Sequence, residues 1–278
     1  SNVTITAQGQ GALLRMRIAD YHAEPYQPAE WRHGINLRSV SKVAISNLTI
    51  ADSGGDGIYL GTKTRGKFNT DVTIKNVVCV NNNRQGISVI NAINLLIEDC
   101  VLKDTAGTPP KAGIDFEPNH FSEPIQNCVL RNVTASNNAG GGYIVSLHQH
   151  RAQTPPVSVR FENCRSVNDL SNGFIVIAQN TPGQSVTGTV EIIHCTVENA
   201  AGEPVYPPTT TVQRFTVAAG DSLYLDVRGI LRVPDPSTVT SHEVLIDAVA
   251  AQTGDANLLM QPSLKQTGLR TSAGVLVR

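Results

Sequence analysis

The chain has 278 residues, a formal net charge of −1 and 16% charged residues. So weak a charge excludes the basic surface that binds nucleic acids or acidic membranes, and apolar runs of four or five residues are too short for a membrane-spanning helix. The length allows one large domain or two smaller ones with a sizeable core. The chain opens inside the strand-like segment NVTITAQG, from which we expect a processed or truncated N-terminus.

The first predicted elements are strands that recur along the chain. Similar segments cover residues 43–53, 72–82, 95–105, 128–138, 160–169 and 191–200. Aligning them gives one column, spaced by 29, 23, 33, 31 and 31 residues: Asn47, Asn76, Asp99, Asn132, Asn163 and His194. Alternating apolar residues at this period, without a helical pattern, predict a solenoid. We predict an all-β, right-handed parallel β-helix over residues 1–205, in which each coil has one strand ending at this column and a second at a glycine-led phrase such as QGISVI.

A second polar column follows the first: Asp52, Asn81, Asp104, Asn137, Asn168 and Asn199. Asn and Asp tolerate left-handed backbone conformations, and stacked amides can hydrogen-bond from one coil to the next. We predict that both columns are structural ladders without a chemical role.

The cysteines follow the repeat too. Cys100, Cys164 and Cys195 share the column after the first ladder, whereas Cys79 and Cys128 lie in other apolar columns. We predict five buried free thiols rather than a disulfide framework. Only Cys164 and Cys195 occupy neighbouring coils of one column, so any bridge would join them, and no spacing is typical of a metal site.

The glycine-led phrases predict the second strand of each coil. They align on one glycine column: Gly34, Gly57, Gly86, Gly113, Gly142 and Gly173. Residues one and three positions later should face the core, and residues two and four positions later should face solvent. In GIDFEPN this places Asp115 and Glu117 on one outer face, roughly 6.6 Å apart along the strand. Paired carboxylates at such a separation perform glycoside hydrolysis.

Polar side chains of adjacent rungs surround this pair. Asp56, in the turn before one of these strands, is a third catalytic candidate. The substrate-binding candidates are side chains from neighbouring turns, strands and loops: Arg84, Arg32, His33, Lys63, Tyr59, Asn119 and His148. The alternative is an ordinary solvated sheet face. Two like charges so close cost free energy unless a cation or a ligand compensates, which favours a site.

The coil pattern, the asparagine column and the phrases GGDGIYLG and RQGISVI resemble the pectin-lyase-like superfamily of right-handed parallel β-helices. Over about the first 205 residues, this resemblance implies the fold and a secreted or periplasmic, carbohydrate-active bacterial protein. GDGIYLG followed by QGISVI is similar to the polygalacturonase-type hydrolases, although Asp56 stands alone where they have two adjacent aspartates, and Gln85 replaces their histidine. The Asp-x-Glu pair resembles, in arrangement, the acidic pair of the β-helical carrageenan hydrolases.

The last quarter of the chain differs. After EPVYPPTTT, residues 203–211, the repeat fades. We interpret residues 206–278 as a C-terminal cap or appendage with further strands, because a stacked core needs a terminal cover. Apolar spacing in TSHEVLIDAVAAQ, residues 240–252, predicts a short helix. The alternative role for this region is a contact between subunits.

Three classes of function remain open on the sequence. The first is a polysaccharide hydrolase that uses Asp115 and Glu117, assisted by Asp56 and needing no cofactor or metal. The second is a polysaccharide lyase or uronate epimerase, in which the carboxylates hold Ca²⁺ or neutralise a uronate while Arg84, Lys63 or a histidine removes a proton. The third is a non-catalytic glycan-binding solenoid. The partner is a polysaccharide or oligosaccharide in each case.

Overall fold

The computed structural model describes residues 2–8, 11–27, 29–178 and 186–202, together with the backbone of strands at 205–206, 215–225 and 245–250. The first strands are β1 (Val3–Thr6), β2 (Ala12–Arg15), β3 (Ile35–Arg38), β4 (Ser41–Ala51), β5 (Ile58–Gly61), β6 (Thr70–Val80), β7 (Ile87–Val89), β8 (Ala92–Glu98), β9 (Val101–Lys103) and β10 (Ile114–Phe116). They continue with β11 (Ile125–Arg131), β12 (Thr134–Ser136), β13 (Tyr143–Leu147), β14 (Val157–Glu162), β15 (Arg165–Val167), β16 (Phe174–Ala178), β17 (Gly188–Ile193), β18 (Thr196–Glu198), β19 (Val205–Tyr206), β20 (Phe215–Leu225) and β21 (Leu245–Ala250). A single-turn helix, α1, covers Ile18–Tyr21, and no helix among these residues is long and apolar enough to cross a membrane.

The strands stack in parallel into two sheets. One has seven strands in the order β19-β16-β13-β10-β7-β5-β3, and the other has fourteen. The larger sheet bends at the first polar column. In the early coils one long strand, β4 or β6, runs through the bend, whereas later coils divide there into two strands such as β8 and β9. The predicted all-β parallel solenoid is confirmed.

Each complete coil therefore contributes three strand segments rather than the predicted two. The missed segment follows the first column and can be as short as three residues, as in Val101–Lys103. A strand of three residues is too short for its alternation of apolar and polar residues to be recognised in the sequence.

The glycine-led strands of the seven-stranded sheet supply one wall of the core. Their predicted inward residues are all buried: Ile35, Leu37, Ile58, Leu60, Ile87, Val89, Ile114, Phe116, Tyr143, Val145, Phe174 and Val176. The glycine column is required by close packing between coils, because a Cβ at Gly86 would lie 2.4 Å from the carbonyl oxygen of Gly113. Any other residue would force the coils apart.

Both polar columns form ladders, as predicted. Every member has a positive φ, for example 53° at Asn132 and 55° at Asn137. Side-chain amides donate to the coil before, as from Asn76 to Asn47 at 2.8 Å and from Asn81 to Asp52 at 2.7 Å. The ladder bonds lie at the surface, so they do not bury amide groups. The ladder residues stabilise the fold because Asn and Asp tolerate the left-handed backbone conformation.

Asn132 offers a test of this explanation. Replacing Asn132 by Ala should destabilise the fold by about 1 kcal/mol, because a Cβ without a local hydrogen bond is disfavoured at positive φ. Replacing it by Gly should cost less, since glycine adopts this conformation freely. Urea denaturation of the two variants measures the difference. Equal losses would assign the cost to the lost amide bonds rather than to the backbone.

A third ladder, in the interior of the coil, was missed by the sequence analysis. Asn138 is fully buried one residue after the surface column; its Oδ1 accepts from the Thr105 N–H at 3.1 Å, and its Nδ2 donates to Asp169 Oδ1 at 2.8 Å. Burial raises the pKa of Asp169 even though Ser166 and Asn138 donate to it. These side chains satisfy turn N–H groups inside the coil, where water cannot.

All five cysteines are buried and free, as predicted. Burial raises the pKa of Cys100 to about 11 and that of Cys128 to about 12, which makes both thiols poor nucleophiles at neutral pH. The backbone N–H of Cys164 lies 3.4 Å from Cys195 Sγ in the next coil.

We therefore expect thiol titration to count five groups in denaturant without reductant, and to proceed far more slowly on the native protein. The physical reason is that reagents reach buried sulfur atoms only when the coils open. A count of three in denaturant would instead indicate a Cys164–Cys195 disulfide.

Little of the C-terminal region lies within the described residues. Strand β20 pairs in parallel with β17, and β21 pairs in parallel with β20. The helix predicted over 240–252 is wrong where the structure describes it, because Leu245–Ala250 form β21; a short apolar run fits either element. The remainder of that helix lies outside the described residues. The boundary at 205 and the cap role stay predictions.

Candidate active site

The outer face of the seven-stranded sheet carries the candidate site. Parallel register aligns Tyr59 on β5, Ser88 on β7 and Asp115 on β10 in one row. The turns that precede these strands form a second row, because the backbone bonds at each glycine place Asp56 beside Gln85 of the next coil. Glu117 follows β10 directly. Stacking thus brings residues about thirty positions apart in the chain into contact.

Asp115 is buried, with only 1% of its surface exposed. The expectation that it points into solvent is wrong, because neighbouring side chains lie over it. Arg84 extends from its turn across the β7 rung, where Nη1 donates to Ser88 Oγ at 3.2 Å and Nη2 donates to Glu117 Oε2 at 2.8 Å. Gln85, itself fully buried, donates from Nε2 to Asp115 Oδ2 at 3.1 Å. The outer face is here a covered polar layer.

Asp115 and Glu117 have different surroundings. Burial, followed by the charge of Glu117, raises the pKa of Asp115 well above its ordinary value. Glu117 is paired with Arg84, and its side chain is 39% exposed. The pair therefore consists of a buried carboxyl whose protonated form is favoured and a partly exposed, ion-paired carboxylate.

Asp56 borders the site from the coil that precedes Arg84 and Gln85. It is fully buried, its Oδ1 lies 3.7 Å from Arg84 Nη1, and its Oδ2 lies 3.1 Å from His33 Nδ1. The Asp56 backbone N–H also donates to His33 Nδ1 at 3.2 Å. The His33 ring stacks on Tyr59 with centroids 4.3 Å apart. His33 thus supports Asp56 from the preceding coil, and Tyr59, in the same coil as Asp56, packs on the His33 ring.

Buried polar atoms without hydrogen-bond partners concentrate here. Among the described residues they include both carboxylate oxygens of Asp56, Oδ1 of Asp115 and Nε of Arg84. Arg84 Nε lies 3.4 Å from a carboxylate oxygen of Glu30, an ion pair rather than a hydrogen bond. Buried groups left without partners cost free energy, so this cluster is a place where water or a ligand would stabilise the protein.

Four predicted binding residues make contacts, or are exposed, at places that do not involve the carboxyl pair. Arg32 turns its guanidinium toward the Tyr21 and Tyr26 rings, 5.4 and 5.3 Å from their centroids. Lys63 and His148 are exposed in loops after β5 and β13. Asn119 is exposed, and its backbone N–H donates to Glu123 at 2.7 Å. Their roles in binding stay predictions.

Tyr59 is less available for stacking on a sugar than the sequence suggested. One face of its ring packs on His33, and the Arg38 guanidinium lies 5.1 Å from the ring centroid. Burial is the main cause that raises the pKa of its hydroxyl.

Comparison with known families settles the handedness of the solenoid. Residues 33–211 match the family described as "Right handed beta helix region". The chain belongs to this family. In this right-handed β-helix Asp56, Arg84, Asp115 and Glu117 lie within the matched residues.

Three proteins illustrate what the chain is similar to. "Uncharacterized protein YclG" of Bacillus subtilis (strain 168) is 33% identical over 116 residues, which are 37% of this chain and 20% of that protein. The structure of pectate lyase Pel9A superposes with a TM-score of 0.42 at 14% identity, covering 86% of this chain and 64% of that one. Tailspike protein gp49 from Acinetobacter baumannii bacteriophage Fri1, a capsular polysaccharide depolymerase, gives 0.43 at 14% identity, covering 84% and 48%. Each match spans less than two thirds of the other protein.

Sequence analysis of this right-handed β-helix missed three residues of the site. Ser88 and Gln85 were not predicted as site residues. Ser88 aligns with Asp115 in the parallel register, and Gln85 donates to Asp115 from the turn before β7. Glu30 comes from the segment before the first complete coil, and only the path of that segment brings it to Arg84. The coil register could have identified Ser88 and Gln85, but it gives no indication of Glu30.

A metal centre finds no support at this face. Over the residues that the structure describes, no group of three or more His, Cys, Asp and Glu side chains is arranged to hold a metal ion. The carboxylates of Asp56 and Glu117 already face Arg84. The expectation that no cofactor is needed, with Ca²⁺ possible for a lyase, stays a prediction.

Proposed function

We propose that this right-handed β-helix is a glycoside hydrolase that acts on a polysaccharide at the outer face of its seven-stranded sheet. The observation that carries the proposal is the carboxyl pair, in which Asp115 is buried with a raised pKa and Glu117, two residues later, is partly exposed and ion-paired with Arg84. Two carboxyl groups whose surroundings separate their protonation states are the usual equipment for this reaction. The resemblance noted above favours a secreted or periplasmic location, which stays a prediction.

The exposure of the two groups supports different roles for them. Glu117 is the carboxyl that meets the glycosidic bond, because it is the more exposed of the two. A proton from Asp115 passes through Glu117 to the glycosidic oxygen as the bond from that oxygen to the anomeric carbon breaks. Arg84 holds Glu117 in place and balances the charge left on the pair. Water then forms the new bond to the anomeric carbon and returns a proton to the carboxylates.

Asp56 assists from the adjacent coil. Its two oxygens accept no hydrogen bond, so they can receive a substrate hydroxyl or the attacking water once the site opens. This assignment keeps Asp56 in an assisting role and leaves the proton transfer to the Asp115–Glu117 pair.

The lyase or epimerase hypothesis is less well supported because it needs a base. Although burial favours loss of its proton, the carboxylates of Asp56 and Glu117 outweigh that effect and raise the pKa of Arg84. Among the other candidates, Lys63 and His148 are exposed in loops. His33 Nδ1 accepts from the Asp56 backbone N–H, while its ring packs on Tyr59. A non-catalytic solenoid would have no use for a buried, unsatisfied polar cluster that costs stability.

A product assay distinguishes the three classes. The protein is incubated with neutral and acidic polysaccharides, and both reducing ends and absorbance in the unsaturated-uronate band are followed. Hydrolysis yields reducing ends without that absorbance. Absorbance that rises with the reducing ends would indicate a lyase, and binding without new ends would indicate a non-catalytic solenoid.

A further inference from the structure

Gln85 contacts Asp115 with one end of its amide and the backbone with the other, so both ends of the amide are fixed. Its Oε1 accepts from the backbone N–H of Ala112 at 2.8 Å, and its Nε2 donates to Asp115 Oδ2 at 3.1 Å. A backbone N–H can only donate, so the atom that faces Ala112 must be the carbonyl oxygen. The hydrogen-bond network therefore determines the amide orientation.

This orientation has a consequence for Asp115. Because Oδ2 receives the hydrogen of Gln85, the acidic proton of Asp115 is left with Oδ1. Oδ1 is buried and has no donor of its own. We propose that Gln85 is a positioning residue that keeps the acidic proton of Asp115 on Oδ1, oriented for transfer to Glu117. The proposal rests on the hydrolase function proposed above.

The surroundings of Asp115 leave this task to Gln85. Ser88 of β7 and Ile144 of β13 flank Asp115 in its row, and the Ser88 hydroxyl accepts from Arg84. The charged groups that act on Asp115 are Glu117, Arg84 and Asp56. Each of these acts through charge or through the carboxyl pair itself, so Gln85 supplies the directional bond to Oδ2.

Replacing Gln85 by Met tests the proposal, because it keeps chain length and removes both polar ends. Donation to a carboxyl favours its ionised form, so loss of the donor should raise the pKa of Asp115 further, by about one unit. The alkaline limb of the kcat/KM profile should shift upward by the same amount. With the proton free to occupy either oxygen, kcat should fall on the order of tenfold, while KM changes little.

Gln85→Glu provides a second variant that preserves shape. Its carboxylate still accepts from Ala112 but loses the donor to Asp115 at neutral pH; protonation in acid restores a donor. We expect its activity to recover as the pH is lowered. Asn82→Asp is the matched control, an equally isosteric change at a fully buried amide of the interior ladder in the same coil, where Oδ1 accepts from the Ser53 N–H. Its pH profile should match that of the parent.

Titration of aspartate carboxyl groups by ¹³C NMR gives a readout that needs no substrate. The proposal expects raised pKa values for Asp115 and Asp169 in the parent; the Asp115 signal should be absent in Asp115→Asn and its pKa raised further in Gln85→Met, with Asp169 unchanged in both. If both Gln85 variants lose stability but keep the parental pH profile and NMR titration, Gln85 is structural only and the proposal is wrong. If the titration shifts as expected but no polysaccharide is hydrolysed, the proposed function fails while the proton placement stands.

Discussion

Asp115→Asn should lower turnover by a factor on the order of 10² or more, because the amide keeps the shape of the carboxyl but has no proton to deliver. Its Oδ1 can still accept from Gln85, and its NH₂ group can donate to Glu117, which imitates the protonated native pair. Binding of the glycan should therefore persist. Initial rates of reducing-end release, measured beside glycan binding, separate the two effects.

The same variant should not be less stable at neutral pH. The pKa of Asp115 is raised by folding, so the native state holds its proton where the unfolded state has lost it. The free energy of unfolding then falls as the pH rises from the ordinary carboxyl range toward the raised pKa. Asparagine does not titrate, so the variant avoids this loss of stability. It should therefore be more stable relative to the parent over that pH window and lose the advantage in acid.

Asp99→Asn is the control for this change. Asp99 lies in the surface ladder, where Oδ1 accepts from Asn132 Nδ2 at 3.0 Å. The substitution makes the same chemical change far along the coil from the carboxyl pair, and asparagine occupies this column in other coils. Parental turnover is expected. If Asp115→Asn also retains parental turnover, the catalytic pair lies elsewhere and Asp56 becomes the first residue to examine.

Arg84→Ala should reduce both stability and activity. The sequence suggested that Arg84 binds an acidic substrate, but its guanidinium lies against Glu117, Asp56 and Glu30. Removing a largely buried cation, 15% exposed, leaves Asp56 without its nearest counter-charge. Breaking such a pair costs about 3 kcal/mol. Turnover should fall on neutral and acidic substrates alike, because Glu117 is no longer held over Asp115.

Arg131→Ala is the matched control for Arg84→Ala. Arg131 lies on the larger sheet and pairs with Glu162 at 2.8 Å and Glu98 at 3.3 Å, but its side chain is 43% exposed. Surface ion pairs contribute at most about 1 kcal/mol. Urea denaturation and turnover of both variants should show a large effect only for Arg84. A loss confined to acidic substrates at Arg84 would return it to the role of a substrate-binding cation.

The sequence by itself determined the architecture. The spacing of Asn47, Asn76 and Asp99 determined the coil period, the glycine column determined which residues face the core, and alternation put Asp115 and Glu117 on one strand face. These features are local or repeat from coil to coil, so periodicity is enough to find them. The failure at Leu245–Ala250 has the same origin, since a short apolar run without a repeat fits a helix as well as a strand.

Only the tertiary structure decided which polar side chains meet. Arg84 bends across Ser88 to reach Glu117, and Glu30 joins it from a segment outside the repeat. That cover is what buries Asp115 and raises its pKa, whereas alternation alone predicted a solvated carboxylate. Side-chain direction and loop path depend on neighbours in other coils, and no local pattern records them. For this reason the sequence located the carboxyl pair, and the fold determined which of the two is buried and has the raised pKa.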